Sequence, residues 1–416
     1  MSNSATIGAQ RRVLLAPNAF KGTLTARQAC AAMAAGVRRA WPTSEVVALP
    51  LADGGDGFQQ TVVRAHGGTT TLQLVPGPLL VERVPAPIGW FSGTDGRTAV
   101  IELAAAAGLA LICSPNPATA GAASTRGLGV LIGACLRRPA DTILVGVGGS
   151  ASTDGGAGMA RALGYRFVGS DGLEIPEGGL GLRELEHIDS DAVNPLLARV
   201  RLIAACDVTS PLLGAQGAAA VYGPQKGADS PTVAELEEGL ARLAEVAGRD
   251  LGTAGLDLIP GSGAGGGTGF GLLAFCDANL LPGVEVVAEV SGLGTRLDCA
   301  DLVITGEGRF DLQSLEGKVS GEVARRAQDA GIPCFVIAGS STAEAKLALR
   351  QLGAHLIETR TDVRLLGRGD SRETGRLRRR VQADLREAAA RVCGMTELLL
   401  PDVAGDVGGK SARHSR

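Results

Sequence analysis

The chain has 416 residues, and its 40 Lys+Arg against 43 Asp+Glu leave a net charge of −3. It therefore lacks the basic surface that a nucleic-acid partner or an anionic membrane would need. The length exceeds one ordinary core and predicts two domains of about 150–250 residues each. Gly 61 against 3% aromatic residues predicts many tight turns and close backbone approaches. The eight cysteines stand singly, with no C-x-x-C pair, and the four histidines (His66, His187, His355, His414) form no ligand cluster, so zinc is not expected. A polar N-terminus and the lack of any stretch of about 20 apolar residues predict a cytoplasmic protein without a membrane span.

In chain order, residues 12–17 predict a strand, followed by a loop through Lys21, a helix over 25–40, and a second strand over 45–50 running into Ala52-Asp-Gly-Gly-Asp-Gly57. This β-α-β spacing signals a parallel sheet covered by helices. Short β-rich segments at 70–75, 82–87 and 98–103, divided by Pro76-Gly77-Pro78 and Asp95-Gly96, predict an antiparallel meander. A helix at 127–136, strands at 142–145 and 201–205, and helices ending at 163 and spanning 232–247 and 270–279 complete an inserted domain with a mixed sheet. After Pro282 the β-α rhythm returns, with a helix at 284–293, a strand at 301–304, a helix at 321–330, and strands at 333–338 and 355–358. These strands join the N-terminal ones in one doubly wound sheet. The expected division is 1–62 plus 283–400 for the discontinuous domain and 63–282 for the inserted one. The arginine-rich 376–391 segment reads as a solvated terminal helix and 401–416 as a disordered tail.

The most informative run is Gly146-Val-Gly-Gly-Ser-Ala-Ser-Thr-Asp-Gly-Gly-Ala-Gly-Met159, between an apolar strand and a helix. Glycines, Gly148 and Gly149 among them, let backbone N–H groups crowd one point. Ser150, Ser152 and Thr153 add hydroxyl donors, Asp154 closes the turn, and a helix N-terminus follows, so the run is suited to an anion. It carries no lysine, and no Gly-x-x-x-x-Gly-Lys-[Ser/Thr] occurs in the chain, which excludes an ordinary P-loop.

Cations and carboxylates stand in other loops near predicted strand ends, where open α/β sheets place ligands. Lys21 is suited to neutralise a phosphate or carboxylate, or is a solvated loop lysine. Asp53 and Asp56 offer the hard oxygen ligands that Mg²⁺ takes, or cap a turn. In Ile304-Thr-Gly-Glu-Gly-Arg-Phe-Asp311, alternation sets Glu307, Arg309 and Asp311 on one side, suited to a metal plus a transferring phosphoryl group, or to mutual salt bridging. Lys226, in a turn before Ser230-Pro231, which is expected to open a helix as cap and first residue, is suited to a carboxylate or phosphate, or is an ordinary surface lysine. Asp207 follows a strand and has helix capping as its competing role. The Gly-x-Gly-x-x-Gly at Gly261, Gly263 and Gly266 lacks a preceding strand and is a weak dinucleotide signature. No Gly-x-Ser-x-Gly elbow is present.

Together these loops resemble those of the bacterial glycerate kinases of the type 1 family. The matching pieces are Ala16-Pro-Asn-Ala-Phe-Lys-Gly-Thr-Leu-Thr25, Ala52-Asp-Gly-Gly-Asp-Gly57, residues 146–159, Ala205-Cys-Asp-Val208, Val221-Tyr-Gly-Pro-Gln-Lys-Gly227, Gly263-Ala-Gly-Gly-Gly-Thr-Gly269, and residues 302–311 with Gly317-Lys318. They occur in family order.

The resemblance implies transfer of the γ-phosphoryl of ATP to D-glycerate with Mg²⁺, giving 2-phosphoglycerate in preference to 3-phosphoglycerate. It also implies two α/β domains, one flavodoxin-like and discontinuous and the other inserted, with the site in the cleft between them. Lys21, Asp53, Asp207, Lys226, Glu307, Arg309 and Asp311 match positions that the family fills with the same residue types. On this reading Gly148, Gly149, Ser150, Ser152, Thr153, Asp154 and Lys226 hold the nucleotide, and Asp53, Asp207, Glu307 and Asp311 hold the metal. Lys21, Asp53, Arg309 and Asp311 then act on the transferring group. Asn18-Ala19 replaces the family's usual Asp-Ser, and Asp56 a common Glu. Because Asn18 cannot be a general base, a kinase for another small hydroxy acid and a non-catalytic sensor on the same fold both stay open, as do monomer and homodimer.

Overall fold

The computed structural model describes residues 11–20, 23–51, 57–93, 96–315, 317–359 and 371–399. Lys21, Asp53, Asp56 and the predicted tail lie outside the described residues. The chain divides into two compact units, residues 1–52 with 288–416 and residues 53–287. In chain order the first unit opens with strands β1 (Arg12–Leu15) and β2 (Glu45–Ala48). The second holds β3 (Thr69–Pro76), β4 (Arg83–Gly93), β5 (Gly96–Glu102), β6 (Thr142–Gly146), β7 (Arg166–Val168), β8 (His187–Asp189), β9 (Arg201–Ala205) and β10 (Asn279–Leu281). The chain then returns to the first unit for β11 (Leu302–Phe310), β12 (Cys334–Ser341) and β13 (His355–Glu358).

The first unit is an all-parallel sheet in the order β13-β12-β11-β1-β2. Counted within the unit, this is the 2-1-3-4-5 order of the flavodoxin-like doubly wound fold, whose switch point lies between β1 and β11. The central strands are apolar runs buried on both faces, as a covered parallel sheet requires, with Val13, Leu15, Ile304, Phe335 and Ile337 at zero exposure.

Helix Ala26–Ala40 starts on a capping box in which Thr25 and Gln28 satisfy each other's backbone N–H, and it buries Cys30, Met33 and Val37 on one stripe. Against that helix packs the terminal helix Ser371–Leu399. This corrects the expectation of a solvated segment: Val381, Leu385, Ala388, Ala389, Val392 and Cys393 form an apolar stripe in the core, and the arginines occupy the other faces. Charge density misled the reading, because the stripe is diluted by arginines yet keeps helical spacing. Gly36 permits the close approach, since a Cβ there would stand 2.1 Å from the Arg386 carbonyl oxygen.

The second unit is built on a six-stranded mixed sheet, β10-β9-β6-β5-β4-β3. The predicted meander is present as antiparallel β3-β4-β5, and β5, β6, β9 and β10 run parallel. Helices Arg126–Arg137, Ala157–Leu163, Ser230–Leu251 and Ala264–Cys276 contribute to its core. The helix expected to be capped by Ser230 is instead capped by Asp229, which accepts the Thr232 N–H at 3.0 Å. Six cysteines are buried free thiols, whereas Cys113 and Cys299 are exposed. Among the described residues no helix is long and apolar enough to cross a membrane.

Replacing Leu385 by Ala should cost about 2–5 kcal/mol in urea unfolding, because it opens a cavity in a packed seam. Replacing the exposed Arg378 by Ala should change stability by no more than about 0.5 kcal/mol.

Candidate active site

In the second unit, β5, β6 and β9 run parallel and end side by side at Glu102, Gly146 and Ala205. This is the edge at which α/β sheets receive ligands. The glycine-rich turn leaves β6 there and is pinned along its length. Val147 N–H donates to Ala205 O (3.0 Å), Leu109 N–H to Gly149 O (2.8 Å) and Ala151 N–H to Ala107 O (2.8 Å). Ser150 and Ser152 hydroxyls lie 2.7 Å apart. Gly148 and Gly149 form an exposed crest, and their N–H groups have no partner among the described residues. The turn thus offers backbone donors, held in place from both sides, to an anion.

The rest of the predicted phosphate set faces inward. Ser152, Thr153 and Asp154 have zero exposure, and Lys226 has 2%. The expectation that these side chains reach a ligand directly is therefore revised: they form the base of the turn. Asp154 accepts the Thr125 N–H and hydroxyl (2.7 and 2.8 Å) and the N–H groups of Gly156 and Gly158 (each 3.2 Å). Burial raises its pKa, and the bonds from Thr125, Gly158 and Gly156 oppose that rise. One carboxylate thereby satisfies donors at the openings of two helices, Arg126–Arg137 and Ala157–Leu163.

Lys226 ends the turn of 3-10 helix Pro224–Lys226 and is not a surface lysine; its Nζ donates to Ser152 O (2.5 Å) and Thr153 Oγ1 (3.4 Å). Burial lowers its pKa to about 8, and the charge of Asp154 opposes the shift. The Gly-x-Gly-x-x-Gly run packs against this assembly. Glycines 265–267 all have positive φ (60°, 72° and 83°), and Gly266 O accepts the Gly155 N–H at 3.1 Å. A Cβ on Gly266 would stand 1.9 Å from Ser152 O. The glycines serve backbone-to-backbone contact rather than a dinucleotide.

Asp207 follows β9, is exposed, and accepts the Gly283 N–H (2.8 Å) at the start of helix Gly283–Val290, the capping role named as its competitor. Glu102 went unnoticed in the sequence. It accepts the Gln59 N–H (3.2 Å) at the start of helix Phe58–Ala65, and the only available signal was an acidic residue closing a predicted strand.

The first unit holds a separate cluster at the end of β11, next to the switch point. Thr305 donates to Ala16 O (2.8 Å) and Asn18 N–H to Gly306 O (2.9 Å), which lays the chain after β1 along β11. Asn18 is buried, and its side-chain oxygen accepts the Ala19 N–H. Near the end of β11, Glu307 is 7% exposed and the Arg309 side chain 66%, while Phe310 is buried. Asp311 accepts ion pairs from Arg309 (3.5 Å) and Lys318 (3.6 Å), so the salt-bridging alternative is realised for Arg309, though an exposed pair of this kind is weak.

Glu307 Oε1 and Ser320 Oγ are buried without a hydrogen-bond partner among the described residues. Burial pushes the Glu307 pKa up to about 7. The nearby Ser320 and Ser314 hydroxyls and the Lys318 charge favour the carboxylate, and Asp311 disfavours it. Lys318 was visible in the sequence only as part of Gly317-Lys318. Glu307, Arg309 and Asp311 are thus brought together, and Lys226 joins the glycine turn. No group of three or more His, Cys, Asp or Glu side chains with metal-binding geometry occurs among the described residues.

A flavodoxin-like sheet with an inserted mixed α/β domain, a glycine turn with unpartnered backbone donors and carboxylates at a strand end are features suited to a small-molecule kinase. The glycerate kinase family matches residues 13–379, and the chain belongs to that family. It is 44% identical to a glycerate kinase of Halalkalibacterium halodurans over 79% of this chain and 85% of the relative. It is 40% identical to the glycerate 2-kinase of Escherichia coli over 80% and 86%. A crystal structure from Salmonella typhimurium LT2 assigned to glycerate kinase 2 is similar at TM-score 0.82 and 37% identity, covering 94% of this chain and 100% of that one.

Asp154→Ala should lower stability by about 3 kcal/mol in chemical denaturation, because it strands several buried donors. Loss of the Asp207 cap in Asp207→Ala should cost only about 1 kcal/mol.

Proposed function

We propose that this chain transfers the γ-phosphoryl group of ATP to D-glycerate and yields 2-phosphoglycerate. The observation that carries the reading is the exposed crest of Gly148 and Gly149, whose N–H groups have no partner among the described residues, in a chain that belongs to the glycerate kinase family. On this reading the crest and Ser150 receive phosphate oxygens, and Arg309, ion-paired only to Asp311 among the described residues, turns to charge developing on the transferring group. Lys21 and Asp53 are assigned by motif alone.

Magnesium fits the donor set. Glu307 contributes an unpartnered oxygen and Asp311 a second carboxylate, and Mg²⁺ takes one or two carboxylates with water and phosphate oxygens completing its shell. Bound there, it would neutralise charge on the phosphates. Glu307 and Asp311 would hold it; Asp53 and Asp207 are further candidates by motif. On this reading the glycine turn and the β11 carboxylates are both needed for turnover. A cytoplasmic location is part of the same proposal.

Purified protein with ATP, Mg²⁺ and D-glycerate should release ADP only when glycerate is present, with phosphorus NMR identifying the 2-phosphate. Absence of glycerate-dependent release would reject the reading. Asp311→Ala should reduce kcat by about 100-fold or more. In Gly148→Ala the added methyl meets nothing within 4 Å, so the thermal midpoint should move by less than about 2 °C. The same methyl enters the phosphate seat, and the KM for ATP should rise about tenfold, near 1.4 kcal/mol.

Glu307 should impose a pH dependence. Its protonated form cannot ligate, so the Mg²⁺ concentration giving half-maximal rate should rise as pH falls below about 7 and be flat in Glu307→Gln. The raised pKa means that ionisation inside the fold opposes stability, an effect that builds between the ordinary value of 4.5 and about 7 and is complete above. Glu307→Gln should therefore be more stable at pH 8, on the order of 1–3 kcal/mol, while losing activity.

A further inference from the structure

We infer that Lys226 acts from beneath the glycine-rich turn as a positioning residue, its buried ammonium shaping and charging the seat for the nucleotide phosphates without touching them. The inference rests on the reading of that turn as the phosphate seat.

Lys226 is 2% exposed, and its Nζ ends on Ser152 O (2.5 Å) and Thr153 Oγ1 (3.4 Å), two groups at the base of the turn. Neither is a carboxylate. The charged group that faces it among the described residues is Asp154, whose oxygens already accept donors from Thr125, Gly156 and Gly158. A buried cation without a contacting anion is costly, and the fold makes specific room for it. The glycine run passes so close that a Cβ on Gly266 would lie 2.7 Å from Nζ as well as 1.9 Å from Ser152 O. Three consecutive residues with positive φ are accepted there. The crest at Gly148 and Gly149 lies just before this base in the chain and carries unpartnered N–H groups. A polyanion at the crest would add counter-charge to that of Asp154, which Lys226 does not contact directly.

Charge and hydrogen bonding can be separated. An uncharged amine still donates to Ser152 O, so the turn keeps its hydrogen bond above the Lys226 pKa of about 8 and loses only the field. ADP affinity, measured by titration calorimetry on the full chain from pH 7.5 to 9.5, should fall about tenfold through a midpoint near 8. Lys226→Met should bind ADP about tenfold more weakly at pH 7.5 and show no such step. Its KM for ATP should rise more than its kcat falls. Wild-type affinity in folded Lys226→Met, or survival of the step in that variant, would overturn the inference. If the variant does not fold, a flat wild-type profile overturns it equally. Gly148→Ala separates the two levels. Unchanged ADP affinity there would remove the turn as the phosphate seat and the inference with it, whereas weakened affinity beside a flat wild-type profile would refute the role of Lys226 alone.

Discussion

Asp154 is a carboxylate without access to solvent on which four protein donors converge, and the order of the glycine turn depends on it. The turn must do two opposed things. It must leave backbone N–H groups exposed at Gly148 and Gly149, and it must hold them still without a helix or a sheet ladder to supply the restraint. Serines and glycines alone would leave such a segment with many conformations, and ordering it on binding would subtract from affinity. The buried carboxylate removes that freedom beforehand by joining the openings of helices Arg126–Arg137 and Ala157–Leu163 to the base of the turn.

The glycine content of the chain is explained in part by the same constraint. Glycines 265–267 lie in the left-handed region, and a Cβ would meet the Leu103 and Val147 side chains at Gly265, the Ser152 carbonyl and Lys226 ammonium at Gly266, and the Leu212 side chain and Gly155 backbone at Gly267. They are a second layer under the first, so two glycine-rich segments far apart in sequence are one packed object. In the other unit a carboxylate at the end of β11 is treated differently. Glu307 is buried beside Ser320 with an oxygen left unpaired, a local cost of the kind retained at sites that act on ligands.

The β-α rhythm, the meander and the parallel strands were legible because apolar runs of strand length stood between turn residues. The sheet order followed once the terminal strands were joined to the first two. The two helix misreadings have definite causes. Arginines masked the apolar stripe of Ser371–Leu399, and Ser230-Pro231 matched a cap signature one residue beyond Asp229, the actual cap. At the site, the motifs located the right loops, but residue type could not tell a ligand-facing group from a supporting one. Ser152, Thr153, Asp154 and Lys226 have the chemistry of ligands and the burial of scaffold. Burial depends on what the chain folds over a residue, here glycines distant in sequence, and local spacing carries no record of it. Glu102 was missed because a single charge near a strand end is ordinary, and Lys318 was visible only within Gly317-Lys318.

The central position of β1 has a further consequence for how the molecule comes into being. That strand pairs with β2 on one side and β11 on the other, and the Thr305 hydroxyl that reaches the Ala16 carbonyl belongs to a residue 289 positions later. During synthesis β1 and β2 emerge first but lack their neighbour until nearly three quarters of the chain has been made, whereas residues 53–287 form an unbroken stretch with their own core. Closing so long a loop is entropically slow. The insertion can therefore mature while its host still waits, and the apolar β1 edge remains open to wrong pairing until β11 arrives.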